Sequence, residues 1–251
     1  MIQLNVANET SRLKAVVLGT AQSNGPTPTP AACYDPSSLM HVKADTYPLE
    51  PQMLKEMSAL EAVLKRYNVT VLRPHIIPDC NQIFARDVAF VIEDKIIKSN
   101  ILPDRENEFS GMSHILEQID SRKIIELPEE CHIEGGDVIL FNDYLFAGVY
   151  TGPDYSDFIT ARTNQKAIDA LKSLFPQKTL KTFELKKSNT EPQENALHLD
   201  CCFQPIGQGK ALIHKAGFLN PLDCQFLEDL FGEENLFQAS KTEMAAMNCN
   251  V

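Results

Sequence analysis

The chain has 251 residues, 43% of them hydrophobic, which is enough to bury a full core in one domain. Its formal net charge of −11 argues against a protein that neutralises nucleic-acid phosphates. Residues 1–8 lack the basic start and apolar run of a signal peptide, and no segment has the ~18 apolar residues that span a bilayer. We therefore expect a single domain over residues 1–251 in a cytoplasmic protein without nucleic-acid or membrane partners. A homo-oligomer is left open.

The cysteines form an odd set without CxxC spacing. They are Cys33, Cys80, Cys131, Cys201, Cys202, Cys224 and Cys249. Such a set is typical of neither a disulfide framework nor a common zinc ribbon. Most of them are predicted to be buried free thiols.

The amino-terminal segment predicts a strand, a loop, a helix and a strand. The apolar stretch "LKAVVLG" is followed by a proline-rich loop from Pro26 to Pro51. Four apolar residues then recur at helical spacing, and "VTVLRP" has the composition of a strand; the four are Met53, Met57, Leu60 and Leu64.

Three later segments repeat a single order of strand, strand, helix and strand. Their hairpins are predicted in "VAFVIEDKIIKS", "VILFNDYLFAGV" and "LDCCFQPIGQGKALIH", with turns at residues 93–94, 142–143 and 205–209. Apolar residues at helical spacing follow each hairpin, around residues 112–119, 168–175 and 222–231. The strands "KIIEL", "LKTFEL" and "LFQA" then close the three units.

Units of this kind bury their helices by packing side by side, so the repeat predicts a ring or partial ring. The first segment is predicted to be a related unit whose hairpin is opened into a loop. The last residues, "MNCNV", predict the first strand of a fifth, incomplete unit that contains Cys249. The alternative is a mixed α/β sheet without symmetry.

Polar motifs precede the three hairpins. They are "FARD" at 84–87, "EGGD" at 134–137 and "HLD" at 198–200. If the units surround a pseudo-axis, equivalent positions converge, and Asp87, Glu134, His198 and Asp200 share one pocket. Crowded carboxylates raise one another's pKa and cost folding free energy unless a cation joins them. The motifs therefore predict a cation-binding pocket.

A guanidinium suits this pocket because it is planar, permanently charged and presents five donors to carboxylates. A metal is the alternative, since His198, Asp200 and the adjacent cysteines are zinc-ligand types. Neighbouring strand residues alternate sides, however, so Cys201 is predicted to point away from Asp200. Each motif alone has a structural explanation, as a glycine turn, a surface ion pair or a histidine bonded to a backbone carbonyl.

These motifs, in this order, resemble those of the guanidine-modifying (pentein) superfamily, which contains arginine deiminases, amidinotransferases and dimethylarginine dimethylaminohydrolases. The resemblance extends from about residue 13 to residue 251. It implies an α/β fold, a five-bladed propeller of ββαβ units, with the fifth unit incomplete in this chain. It also implies that Asp87 and Asp200 hold the guanidinium, and that His198 is a catalytic histidine oriented by Glu134.

Two arginines are similar to residues that hold the substrate's α-carboxylate in the dimethylarginine hydrolases. They are Arg162 in "ARTNQ" and Arg105 in "PDRE". The alternative for both is a solvated helix or loop arginine. The resemblance therefore predicts arginine or a methylated arginine as the substrate.

The chemistry implied by the resemblance begins with attack of a thiolate on the guanidinium carbon, and His198 protonates the leaving amine. Water then releases a ureido product, whereas an acceptor amine takes the amidino group in the transferases. We expect a hydrolase that needs no organic cofactor or metal, with an amidinotransferase as the alternative. Cys249, Cys201 and Cys202 are expected to be structural, which places the nucleophile downstream of Val251. If the chain is complete, the alternative is a non-catalytic guanidine-binding protein.

Overall fold

The computed structural model describes all residues, 1–251. The first unit consists of β1 (Ala15–Val17), α1 (Pro36–Lys43), α2 (Glu50–Arg66) and β2 (Thr70–Leu72), and its two strands pair in parallel. The predicted order is confirmed, but the proline-rich loop also holds α1. Asp35 starts this helix, because its carboxylate accepts a hydrogen bond from the Ser38 N–H at 2.8 Å.

The second unit begins with the short helix α3 (Ala85–Val88), followed by β3 (Ala89–Ile92), β4 (Lys95–Lys98), α4 (Ser113–Leu116) and β5 (Ile124–Glu126). The predicted helix around residues 112–119 is confirmed in part, as the short helix α4, and a 3-10 helix at Pro103–Met112 precedes it. The hydroxyls of Ser110 and Ser113 donate to carbonyls three residues earlier, a local bond that competes with α-helical pairing.

The third unit comprises β6 (Val138–Phe141), β7 (Tyr144–Val149), α5 (Gln165–Leu174) and β8 (Thr179–Glu184). The fourth comprises β9 (Phe203–Gly207), β10 (Lys210–Ile213), α6 (Pro221–Phe231) and β11 (Leu236–Gln238). In the second to fourth units an antiparallel hairpin is extended by a parallel third strand, which confirms the repeat. The fourth hairpin turns at residues 208–209, within the predicted range of 205–209.

The predicted strand at "MNCNV" is wrong. A helix, α7 (Lys241–Ala245), is followed by a turn that contains Cys249. Ser240 and Glu243 start this helix, because each side chain accepts the other's backbone N–H, at 3.2 and 2.8 Å, in a capping box. Residues 1–251 therefore form four sheets, and the five-bladed propeller stays a prediction.

Three hydrophobic clusters join consecutive units. One cluster contains the partly buried Val17 of the first unit and Val88 of the second, and another contains Phe90 of the second and Leu140 of the third. The last contains Phe146 of the third unit and Phe203 of the fourth. The units thus bury their apolar faces against one another, as the repeat predicted. None of the helices is both long and apolar enough to cross a membrane.

The starts of the three hairpins meet. Helix α3 contacts the 3-10 turn at Gly135–Asp137, which in turn contacts the 3-10 turn at Leu199–Cys201. The two glycines of "EGGD" permit this approach. A Cβ on Gly135 would lie 2.0 Å from the Arg86 carbonyl oxygen, and one on Gly136 would lie 2.7 Å from Nδ1 of His198. Larger residues would separate the motifs.

Candidate active site

The structure brings Asp87, Glu134, His198 and Asp200 together, and all four side chains are buried. They lie at or beneath a cavity of about 720 Å³ whose lining includes Asp87, His198 and Asp200. Each of the three motifs contributes one or two of these side chains, and each motif lies at the start of a different hairpin. The predicted convergence is therefore present, while the chemical role of each residue stays a prediction.

Glu134 lies at the base of the cluster. One of its carboxylate oxygens, Oε2, lies 2.8 Å from Nε2 of His198 and accepts a hydrogen bond from Nη1 of Arg105 at 3.0 Å. Nη1 of Arg162 donates to both oxygens at 3.0 Å. Burial alone would raise the pKa of Glu134, but Arg162, His198 and Arg105 together hold the pKa well below its ordinary value. Glu134 is therefore a fixed negative charge.

His198 presents its other ring nitrogen towards Asp87, with Nδ1 3.8 Å from Oδ1 of that carboxylate. Burial would lower the pKa of His198, but Asp87, Glu134 and Asp137 raise it to about 9. The imidazole consequently carries two protons at neutral pH. One is directed to Glu134, and the other is available beside Asp87 for transfer.

The two carboxylates predicted to hold a guanidinium differ in their surroundings. Asp87 accepts hydrogen bonds from Nη1 of Arg105 at 2.9 Å and from the Gly136 N–H at 3.3 Å. Asp200 accepts no hydrogen bond from a cation; Nε of Arg86 lies 3.7 Å from its Oδ2, and a ring nitrogen of His198 lies within 4.8 Å of the carboxylate. Burial raises the pKa of Asp200 to about 6, although His198 and Arg86 oppose the rise. An added cation would stabilise the ionised form of Asp200.

Arg105 is at the site, but its donors are directed to protein groups. Nε and Nη2 donate to the two oxygens of Glu108 at 2.8 and 3.0 Å, and Nη1 donates to Asp87 and Glu134. Burial would lower the pKa of Arg105, but Glu108, Asp87 and Glu134 raise it. The solvated alternative is excluded, because only 4% of the residue is exposed.

Arg162 is also buried at the site, with 1% of the residue exposed. Nε donates to the Ile159 carbonyl at 2.9 Å, Nη1 to Glu134, and Nη2 to the Tyr34 carbonyl at 2.8 Å. The Tyr34 ring also lies 5.6 Å from the guanidinium carbon. Arg162 therefore ties the proline-rich loop of the first unit to Glu134.

Several residues that organise the site carried no assigned role in the sequence. Asp137 accepts hydrogen bonds from the Leu199 N–H at 3.0 Å and from the Thr163 hydroxyl at 2.7 Å, so it fixes the segment that holds His198. Arg86 forms an ion pair with Glu9 at 3.3 Å. Asp137 belongs to "EGGD" and Arg86 to "FARD", so these motifs could have indicated that both residues lie at the site. Nothing local to Glu9 indicates its partner, 77 residues away.

The prediction that Cys201 points away from Asp200 is wrong, since its Sγ lies 3.6 Å from Oδ1 of Asp200. The reason is that both residues belong to a 3-10 turn instead of a strand. Burial, followed by the charge of Asp200, raises the pKa of the Cys201 thiol. Burial raises the pKa of the other six free cysteines as well, that of Cys249 to about 11. None of the seven has the lowered pKa that is typical of an activated cysteine.

Two groups of side chains have the residue types of a metal site, with ligand atoms within 4.8 Å of one another. They are His198, Asp200 and Cys201, and Asp87, Glu134 and His198. In the second group, Arg105 and Arg162 already supply positive charge to the carboxylates. In the first, Nε of Arg86 lies 3.7 Å from Oδ2 of Asp200. The arrangement therefore favours an organic cation over a metal ion.

Small ββαβ sheets around a buried histidine and several carboxylates define the guanidine-modifying class of α/β proteins. The family model described as arginine deiminase matches residues 13–225. The chain belongs to this family, and with it to the guanidine-modifying superfamily. It is thus homologous to enzymes that modify guanidino groups.

One curated relative is the uncharacterized protein YkgA of Bacillus subtilis (strain 168). It is 30% identical over 163 residues, which make up 62% of this chain and 49% of YkgA. The matched region therefore spans about half the length of that relative.

Three solved structures share the fold at low sequence identity. The N-terminal domain of ArgZ, a cyanobacterial arginine dihydrolase, has a TM-score of 0.72 at 15% identity, over 94% of this chain and 79% of that one. DDAH from Pseudomonas aeruginosa has a TM-score of 0.65 at 14% identity, over 94% and 80%. SxtG, an amidinotransferase from Microseira wollei, has a TM-score of 0.64 at 18% identity, over 86% and 71%.

Proposed function

We propose that the chain carries the guanidinium-binding and acid–base residues of a hydrolase that acts on the guanidinium group of a small molecule. Arginine and methylated arginines are the substrates that the sequence predicts. The observation that carries the proposal is the protonated His198, bonded to Glu134 at 2.8 Å, beside a cavity lined by Asp87 and Asp200. Family membership supports it.

In this mechanism Asp87 and Asp200 hold the planar cation, and a thiolate attacks its central carbon. The carbon–nitrogen bond to the departing amine breaks as His198 transfers the proton on Nδ1 to that amine. Glu134 stabilises the imidazolium before the transfer and fixes the ring orientation. Water then adds to the carbon, the carbon–sulfur bond breaks, and a ureido product leaves.

The nucleophile remains to be assigned. All seven thiols have raised pKa values, so we propose, as the sequence predicted, that it lies downstream of Val251. Mass spectrometry of the full-length protein, quenched during turnover, would locate the modified cysteine. An adduct on Cys201 or Cys249 would contradict this part of the proposal.

The test of the function is product analysis with the full-length protein and arginine, methylated arginines and agmatine. We expect a ureido product and a released amine with at least one of them, and loss of both in His198→Ala. His75→Ala is the matched control, because His75 is exposed and outside the cavity lining. Turnover of none of these guanidines, with or without an acceptor amine, would refute the hydrolase and the amidinotransferase together.

A non-catalytic guanidine-binding protein is the second candidate, and the raised thiol pKa values favour it. In that case calorimetry should show guanidine binding without turnover. Binding should weaken in Asp200→Asn, because that residue is the least compensated carboxylate of the cluster. The absence of any heat with guanidines would refute this candidate.

A further inference from the structure

The arginines predicted to hold an α-carboxylate have no free pair of donors. Every guanidinium nitrogen of Arg162 and of Arg105 donates to a protein oxygen. A substrate carboxylate is normally recognised by two parallel N–H groups of one arginine. Here those groups bind Asp87, Glu108, Glu134 and two backbone carbonyls instead, so both arginines serve to position carboxylates of the site.

The wall of the cavity is acidic. Three guanidinium groups, the protonated His198 and no lysine line it, against six carboxylates: Asp35, Asp79, Asp87, Asp104, Glu108 and Asp200. The side chains of Asp79 and Asp104 form no ion pair or hydrogen bond, and Arg86 is already paired with Glu9. A negative wall of this kind repels a substrate carboxylate and attracts a second positive charge.

An unpaired acceptor lies in the same cavity. Asn24 lines it and is 8% exposed, and its side-chain Oδ1 has no hydrogen-bond partner. The backbone of Asn24 is held in place, since its N–H donates to Glu50 at 3.2 Å. A buried acceptor without a protein partner can accept from water or from a donor on a ligand, and Asn24 faces the cavity in which a ligand would bind. An ammonium group supplies up to three such donors.

We propose that the site takes an aminoalkylguanidine, a molecule with a guanidinium at one end, an ammonium at the other and no carboxylate. The guanidinium lies between Asp87 and Asp200, and the ammonium donates to Oδ1 of Asn24. This assignment rests on the proposed function and replaces the α-carboxylate-bearing substrate predicted from Arg162 and Arg105. It makes those two arginines positioning residues.

Three guanidine compounds with alkyl chains of similar length test which charged group the site accepts at the end opposite the guanidinium. Agmatine has the ammonium alone, arginine has the ammonium and the carboxylate, and 4-guanidinobutanoate has the carboxylate alone. Calorimetry with the full-length protein should show agmatine binding at least about tenfold more tightly than arginine, with 4-guanidinobutanoate the weakest. Where turnover occurs, kcat/KM should follow the same order.

Failure of this inference and failure of the proposed function give different binding results. Binding of arginine as tight as that of agmatine, or tighter, overturns the inference and leaves a guanidine-modifying site. Binding of none of the three overturns the proposed function itself.

The variant Asn24→Ala tests the acceptor. It should weaken agmatine about tenfold more than it weakens butylguanidine, which lacks the ammonium. Thr27→Ala, in the same loop but exposed and outside the cavity lining, is the control. Equal losses for both ligands would show a merely structural role and overturn the assignment of Asn24. If Asn24→Ala does not fold, as judged by circular dichroism, the three probes on the unaltered protein still decide.

Discussion

Nε2 of His198 lies 2.8 Å from Oε2 of Glu134, and Glu134 is fully buried. The two residues are 64 positions apart in the chain and come from the starts of two neighbouring hairpins. Since Glu134 also accepts from Arg105 and Arg162, it connects the histidine to both buried arginines.

Glu134→Gln keeps the shape of the side chain and removes its charge. The pKa of His198 should fall from about 9 towards 6.5, because a carboxylate that stabilises the imidazolium is lost. Stability should fall by about 3–5 kcal/mol, since two buried arginines lose a partner. NMR titration of the histidines and urea unfolding measure the two effects. Glu130→Gln, at an exposed position, is the control, and an unchanged pKa of His198 would contradict the prediction.

Stability should decrease as pH rises from about 6.5 to 9. The folded pKa of His198, about 9, exceeds the ordinary value of 6.5, so the folded state binds a proton that the unfolded chain has released. The stabilisation is fully present below 6.5 and is lost through 9, by about 3 kcal/mol in total. Urea unfolding across this range measures it. His198→Gln should remove the dependence, and a flat profile for the unaltered protein would refute the pKa assignment.

Guanidinium binding should weaken as pH falls below about 6. Burial holds the pKa of Asp200 near 6, and the protonated carboxyl no longer attracts the cation. Affinity for methylguanidine should fall by up to about tenfold per pH unit below that value. Calorimetry provides the measurement. Asp200→Asn should bind weakly at every pH in this range, whereas Asp143→Asn, outside the cavity lining, should keep the pH dependence.

Gly136→Ala should displace the histidine ring, because the added Cβ would lie 2.7 Å from Nδ1 of His198. We expect a loss of stability of about 1–3 kcal/mol and a lower pKa of His198, whose ring would move away from its carboxylate partners. Gly209→Ala is the comparison, since its Cβ meets nothing within 4 Å, although its φ of +71° also strains that variant. Stability alone should change there, and a shifted pKa of His198 in Gly209→Ala would argue against a local effect.

Much of the site could be predicted because the motifs have equivalent places in a repeated unit. Strand order fixes where a hairpin begins, so Asp87, Glu134 and His198 converge once the units pack side by side. The partners of the arginines could not be predicted in this way. Arg162 donates to the carbonyl of Tyr34, 128 residues away, on a loop whose path follows no periodic pattern.

The carboxyl-terminal error has a local cause. The repeat predicts a strand at "MNCNV", whereas Ser240 and Glu243 have the spacing of a helix start just before it, and a turn follows that helix. The orientation of Cys201 also has a local cause. Strand alternation does not apply to residues 199–201, because they form a 3-10 turn and the strand β9 begins only at Phe203.

The packing of consecutive units also affects how a ligand and the fold are coupled. A cation held by Asp87 and Asp200 bridges the second and fourth units, which the third separates along the chain. Separation of the second unit from the third, or of the third from the fourth, would move the two carboxylates apart. The bound molecule would therefore stabilise the packing of these three units against one another. The folded state would then be more stable when the ligand is bound, and the melting temperature would rise with ligand concentration.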